Sequence, residues 1–256
     1  MKKLLFLGIF IFAFGYLLGN SWVGMNSGQP SPARVELISS NIDRTVLKVN
    51  LDGFFLNEVQ TPRGQAYTIS VENATTLLIE GAPDLPKVAT SVIIPELAGM
   101  DVQIVSSKYK ESTGMEIAPS KGNFTRDIDP ATVPYTYGPV YQEDAFFPGD
   151  LASLRDPYII RDYRGQTVLI NPFQYNPSSK ILRVYEEITI EVFKANNMGQ
   201  NPLNRSRELT SVTSEFRHIY NSQFINARST RYDPVDDHGN MLIISHADFI
   251  PAIQPL

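Results

Sequence analysis

The sequence predicts a mainly β protein: an antiparallel β-sandwich or barrel-like domain with one C-terminal helix, followed by the first strand of a truncated α/β domain. Three observations predict it. Strand-like runs at 35–39, 45–51, 65–71, 87–94, 102–109, 166–172 and 180–194 follow one another at short spacing, and turn signals such as Asp52-Gly53, Pro62-Arg63-Gly64, Arg164-Gly165 and Asn176-Pro177 separate several of them. In the last run Leu182, Val184, Ile188, Ile190 and Val192 share one face while Arg183, Tyr185, Glu187, Thr189 and Glu191 share the other, the period of a half-buried strand. No long helical pattern interrupts the series, which favours packed antiparallel sheets over a βαβ arrangement.

From the N-terminus, Met1-Lys2-Lys3 and the apolar run from Leu4 to Leu18 precede Gly19, Asn20 and Ser21. A basic start, a short apolar stretch and small residues describe a secretory signal peptide over 1–19, because the run falls short of the ~20 residues that span a bilayer. Residues 20–33 are small, polar and proline-bearing, the composition of a flexible leader. The sandwich is expected over 34–195. Its middle, 117–157, carries Pro119, Pro130, Pro134, Pro139, Pro148 and Pro157 among aromatic residues, and reads as an ordered, proline-stiffened loop.

A polar linker opens the region 196–231. Val212, Phe216, Ile219, Tyr220 and Phe224 then form an apolar stripe that predicts a helix over 212–226. Small and basic residues from Asn226 to Arg231 compose an exposed, cleavable loop. Beyond it, Met241, Leu242, Ile243 and Ile244 form a continuous apolar run that suits a strand buried on both faces, so 232–256 reads as the start of a truncated α/β domain.

Several function classes are excluded by composition. The 256 residues include no cysteine, so disulfides, thiolate metal sites and a thiol nucleophile are all ruled out. The formal net charge of -5 supplies no basic field for nucleic acid. His218, His238 and His246 lie apart, and no metal or cofactor site is expected. The acidic pairs Asp127/Asp129 and Glu186/Glu187 do not converge: the first lies in a prolyl loop, and the second straddles two faces of one strand.

Seven stretches carry a family resemblance: Val105-Ser-Ser-Lys108, Ile117-Ala-Pro-Ser-Lys-Gly122, Pro134-Tyr-Thr-Tyr-Gly138, Phe146-Phe-Pro-Gly149, Arg161-Asp-Tyr-Arg-Gly-Gln166, Gln174-Tyr-Asn-Pro177 and Thr230-Arg-Tyr-Asp-Pro-Val235. In them the chain resembles the pro-region of the gingipains, secreted Arg- and Lys-specific cysteine proteases of peptidase family C25, and most closely the Arg-specific branch. The resemblance implies a β-sandwich pro-domain that assists folding of a caspase-like catalytic domain and blocks its active site until it is cut away. It also implies that a basic loop residue enters the S1 pocket. The position here that looks like it is Arg126, in Lys121-Gly-Asn-Phe-Thr-Arg126-Asp-Ile-Asp-Pro130. A buried carboxylate in such a pocket holds a planar guanidinium by a bidentate pair.

By the same resemblance the mature enzyme begins at Tyr232, after cleavage of the Arg231–Tyr232 bond, and Arg228 offers a second basic site. Arg205 and Arg207 are further candidates for nicking in the linker. The family's catalytic cysteine and histidine are expected beyond Leu256, so these residues alone should have no peptidase activity and no catalytic residue. The implied partner is the cognate catalytic domain, intramolecular in the precursor. No nucleic acid partner is expected, nor a membrane after signal removal, and the implied location is periplasmic, extracellular or cell-surface. A different class competes: a secreted adhesin or glycan-binding sandwich whose tyrosines at 135–141 stack on sugars.

Overall fold

The structure is a computed structural model that describes residues 21–229, 234–235 and 245–250. In chain order the strands are β1 (Ser21–Gly24), β2 (Arg34–Ser40), β3 (Arg44–Asn50), β4 (Gly53–Thr61), β5 (Gly64–Ser70), β6 (Thr75–Thr76), β7 (Pro86–Ile93) and β8 (Ala98–Thr113). They continue with β9 (Ala152–Leu154), β10 (Tyr158–Ile160), β11 (Tyr163–Ile170), β12 (Phe173–Asn176), β13 (Ile181–Met198), β14 (Val212–Thr213) and β15 (Pro234–Val235), with helix α1 (Ser214–Gln223) after β14. Strands β12, β13, β3 and β2 form one sheet with β8 on the far side of β13. Strands β10, β11, β7 and β6 form a second, to which β9 adds, and β1, β4 and β5 form a third. Among the described residues, every pairing between these strands but the short parallel β14–β15 contact is antiparallel.

The alternation read in the sequence builds the core. Leu182, Val184, Ile188, Ile190 and Val192 of β13 are all buried. The last three meet Leu47 and Val49 of β3 and face Val88, Val92, Val168 and Ile170 of β7 and β11, which makes the two-sheet sandwich. The first two join a second cluster with Phe54, Ile69, Leu85, Ile117, Tyr141, Phe173 and Tyr175. One strand thus runs through both halves of the core. Each fully buried aliphatic side chain contributes ~1.5–3 kcal/mol of transfer free energy. A third, smaller cluster seats α1 through Tyr220 and Phe224 against Tyr163 and Val212.

Four expectations need correction. The leader expected over 20–33 is not free where it is described: Ser21–Gly24 pairs with β4. The carbonyl of Asp52 accepts from the amides of Met25 and Asn26, and its carboxylate holds Ser31 and Arg34. Strand β8 runs to sixteen residues, past both expected ends, with exposed residues throughout its second half. Helix α1 begins only at Ser214, because Val212 and Thr213 are extended and pair with β15. Asn226 and Ala227, placed in an exposed loop by their composition, are buried. The signal segment 1–19, the Arg231–Tyr232 bond and the apolar run 241–244 lie outside the described residues.

Candidate inhibitory loop and processing segment

Two of the motifs that carry the resemblance are the two ends of one loop. At its start, Ala118 donates its amide to the Tyr67 carbonyl and Ser120 donates to the Ala82 carbonyl (2.7 Å), while Gly81 donates back to Ser120 (2.9 Å). At its end, Gly138 donates to the Gly81 carbonyl (2.9 Å). Both ends therefore close on residues 81 and 82. The approach is so tight that a Cβ on Gly81 or Gly138 would sit 3.0 Å from the other's backbone, and Gly81 has φ +76°, so glycine is required there twice over.

Aromatic side chains brace the returning strand of the loop. Tyr137 shares a hydrogen bond with Thr61 (2.9 Å), stacks beneath the Arg63 guanidinium and meets Tyr141 edge to face. Tyr141 is buried and donates to the Ile117 carbonyl (2.7 Å); burial pushes its phenol well above the usual tyrosine range. Burial likewise pushes Tyr175, which donates to the Met115 carbonyl, up to about 12. The tyrosines at 137 and 141 are thus committed to the loop base, not free as a sugar-stacking platform. Beneath the loop lies Asp84, whose amide donates to the Ala118 carbonyl; burial raises its carboxyl pKa, and a bond from Thr76 opposes this.

The tip is tied to itself. Ile128 donates its amide to the Thr125 carbonyl (3.1 Å), which puts Arg126 and Asp127 in the middle of a turn. Asp129 caps the 3-10 turn Pro130–Thr132 by accepting from the Ala131 amide, and Lys121 reaches the Pro130 carbonyl (2.8 Å) while lying over the Tyr135 ring. Asp127 is held below the usual carboxylate range, chiefly by the Thr125 hydroxyl. Arg126 itself is exposed and, among the described residues, makes no ion pair or hydrogen bond. The acidic pairs are spent elsewhere, as their spacing implied. Glu186, at a bulge in β13, is buried against Lys108 and Lys110 of β8, which hold its pKa down, and Glu187 pairs with Lys48.

The basic residues of the C-terminal region differ in fate. Arg207 is exposed. Arg205 is half-buried, paired with Glu96 and donating to the Asp162 carbonyl. Arg228 is exposed in the 3-10 turn Ala227–Ser229, directly after two buried residues.

Two residues that sequence reasoning missed hold this region. Arg164 is 1% exposed, and its guanidinium donates to the carbonyls of Pro95, Ala98, Gln200 and Asn201 at 2.6–3.0 Å. Asn226 accepts from the Ile93 amide (2.7 Å) and donates to the Ile93 carbonyl and to Ser40. Arg164 stood in a quoted motif, and so did Gly165, where a Cβ would meet the Phe224 ring at 2.3 Å. Two other motifs are likewise one unit: Gln174 donates to the carbonyls of Pro148 and Gly149, and Phe147 and Tyr175 exchange backbone bonds.

The family model Propeptide_C25 matches residues 26–227. The chain belongs to the C25 propeptide family. Gingipain R2 of Porphyromonas gingivalis is 38% identical over 250 residues, covering 95% of this chain and 33% of the relative. Gingipain R1 of the same organism is 39% identical over 202 residues, covering 78% of this chain and 20% of the relative. Lys-gingipain, at 24% identity over 213 residues, is more distant, which fits the Arg-specific branch. The chain thus spans about one third of the length of gingipain R2. Among solved structures, the complex of Porphyromonas gingivalis RgpB pro- and mature domains matches with a TM-score of 0.72 at 37% identity, covering 79% of this chain and all of that one. A structure concerned with the zymogenic latency of gingipain K matches in fold, with a TM-score of 0.58 at 20% identity. The C25 propeptide described here is therefore a gingipain-type pro-domain, and its open, sandwich-like sheets agree with the RgpB pro-domain fold.

Proposed function

We propose that this pro-domain keeps an Arg-specific C25 cysteine endopeptidase latent by seating the Arg126 guanidinium in the enzyme's S1 pocket, and that it assists folding of that enzyme. The observation that carries the reading is the exposed, unpaired guanidinium at the tip of a loop whose remaining parts are tied down. Such a loop loses little conformational freedom on docking, which leaves more of the contact energy as affinity. The hydrogen-bonded turn around Arg126 also departs from the extended backbone that peptidases turn over, so the loop occupies the pocket as a plug and not as a substrate.

The partner is the catalytic domain encoded downstream, after export under the signal at 1–19, and processing at Arg231–Tyr232 separates the two. The RgpB complex of pro- and mature domains supports such a partner. The test is to add the purified chain to an Arg-specific C25 peptidase and follow hydrolysis of an arginyl substrate. Inhibition at micromolar concentration or below is the expected result, and full activity at that concentration refutes the reading. Recovery of active enzyme on refolding the catalytic domain with and without the chain tests the folding role.

A further inference from the structure

We infer that Asn226 shields Arg228 from proteolysis and so determines which basic residue of the processing segment can be cut. The inference rests on the proposal that this segment is where the precursor is processed. The side-chain amide of Asn226 is matched to both backbone groups of Ile93, accepting from its amide at 2.7 Å and donating to its carbonyl at 3.1 Å, as a neighbouring strand would. The same amide reaches Ser40 of β2. Around it, Ile225 donates its backbone amide to Ser91 (3.0 Å), Ala227 donates to Phe224 (3.2 Å), and Phe224, Asn226 and Ala227 are each at most 4% exposed. The chain is part of the sandwich up to Ala227 and emerges at Arg228.

A peptidase that cleaves after arginine must also draw the residues before it into an extended strand in its cleft. For a cut after Arg228 those residues are Ala227, Asn226 and Ile225. Each would have to leave the core, and the Ile93 amide would lose its partner. Exposure of the Arg228 side chain is therefore insufficient for cleavage. For a cut after Arg231 the residues drawn in are Thr230, Ser229 and Arg228, all beyond the staple. Asn226 thus measures the distance from the fold to the usable bond, and the pro-domain keeps its last anchored residues after the cut.

The test is limited digestion of the full chain with trypsin, scored bond by bond by mass spectrometry against a free peptide spanning residues 223–233. The peptide should be cut after both arginines. In the chain, cleavage after Arg228 should be at least ~30-fold slower than in the peptide, because it tracks the rare opening of a buried, hydrogen-bonded segment. Asn226→Ala should recover most of that difference. A second variant avoids any folding defect: inserting Gly-Ser-Gly between Ala227 and Arg228 leaves the staple intact and should make the Arg228 bond as labile as in the peptide. Cleavage after Arg228 in the unmodified chain within about threefold of the peptide rate, or an insertion without effect, overturns the inference. Cleavage after Arg231 is scored separately, and its absence counts against the processing role of the segment, not against the shield.

Discussion

The ends of two irregular segments of the molecule are fastened by different means. At one end, the loop from Ser120 to Gly138 is braced by phenols and by a glycine–glycine contact, and its arginine is left outside. At the other, the segment from Gly199 to Ala227 adds to the Tyr220–Phe224 cluster polar side chains driven into the fold: Arg164 on the carbonyls of Gln200 and Asn201, Arg205 on Glu96 and Asn226 on Ile93. Arginine is structural where unpaired carbonyls surround it and presented where a turn has already used its own. The difference teaches that a loop can keep a guanidinium available by satisfying its own backbone in other ways.

The largest expected effect breaks the presented side. Arg126→Ala should weaken inhibition of an Arg-specific peptidase by roughly 30-fold or more, the loss of a charged contact worth ~2–5 kcal/mol in a desolvated pocket. Its thermal unfolding should match the parent, because the side chain is exposed and makes no ion pair or hydrogen bond among the described residues. Arg164→Met should do the converse. Leaving its buried carbonyls unpaired should cost ~3 kcal/mol of stability in urea unfolding, yet the fraction that remains folded should inhibit normally. Equal losses of inhibition and stability in both variants would erase the distinction between the two ends.

A smaller effect tests the ground beneath the loop. The carboxyl of Asp84 has a raised pKa in the fold, so the stability it allows is fully present below the unfolded value of about 3.9 and declines as pH rises through the folded value. Asp84→Asn should therefore stabilise the domain at pH 7 by ~1 kcal/mol and flatten that decline, read from urea midpoints at pH 4 and pH 7. The smallest effect concerns Glu186, whose lowered pKa has the opposite sign: its contribution is present above about 4.3 and lost as pH falls through the folded value. Replacing Lys108 and Lys110 together with methionine should move the acid-unfolding midpoint upward, an effect that circular dichroism against pH would detect.

What the sequence disclosed follows from how local each signal was. Strands β3 and β13 bury every second residue over much of their length, and in β13 that alternation was readable in the sequence. Strand β12 is buried at every position and has no alternation to read. Strand β8 was underestimated for the opposite reason, because its polar second half is held by pairing with β13 and not by burial. The candidate loop was legible in its prolines, but Arg126 only through resemblance: no local pattern distinguishes Arg126 from Arg207. Gly81, Arg164 and Asn226 act on partners distant in sequence, and nothing in their neighbours announces where those partners will be.

The shared footing of the loop on residues 81 and 82 has an engineering consequence. Since departure and return occur at one spot, the stretch between them behaves as a removable cartridge whose length and side chains can change without re-registering either sheet. On the proposed role of Arg126, exchanging that stretch for one with a lysine, or with an uncharged residue, would retarget the domain toward peptidases of other preference.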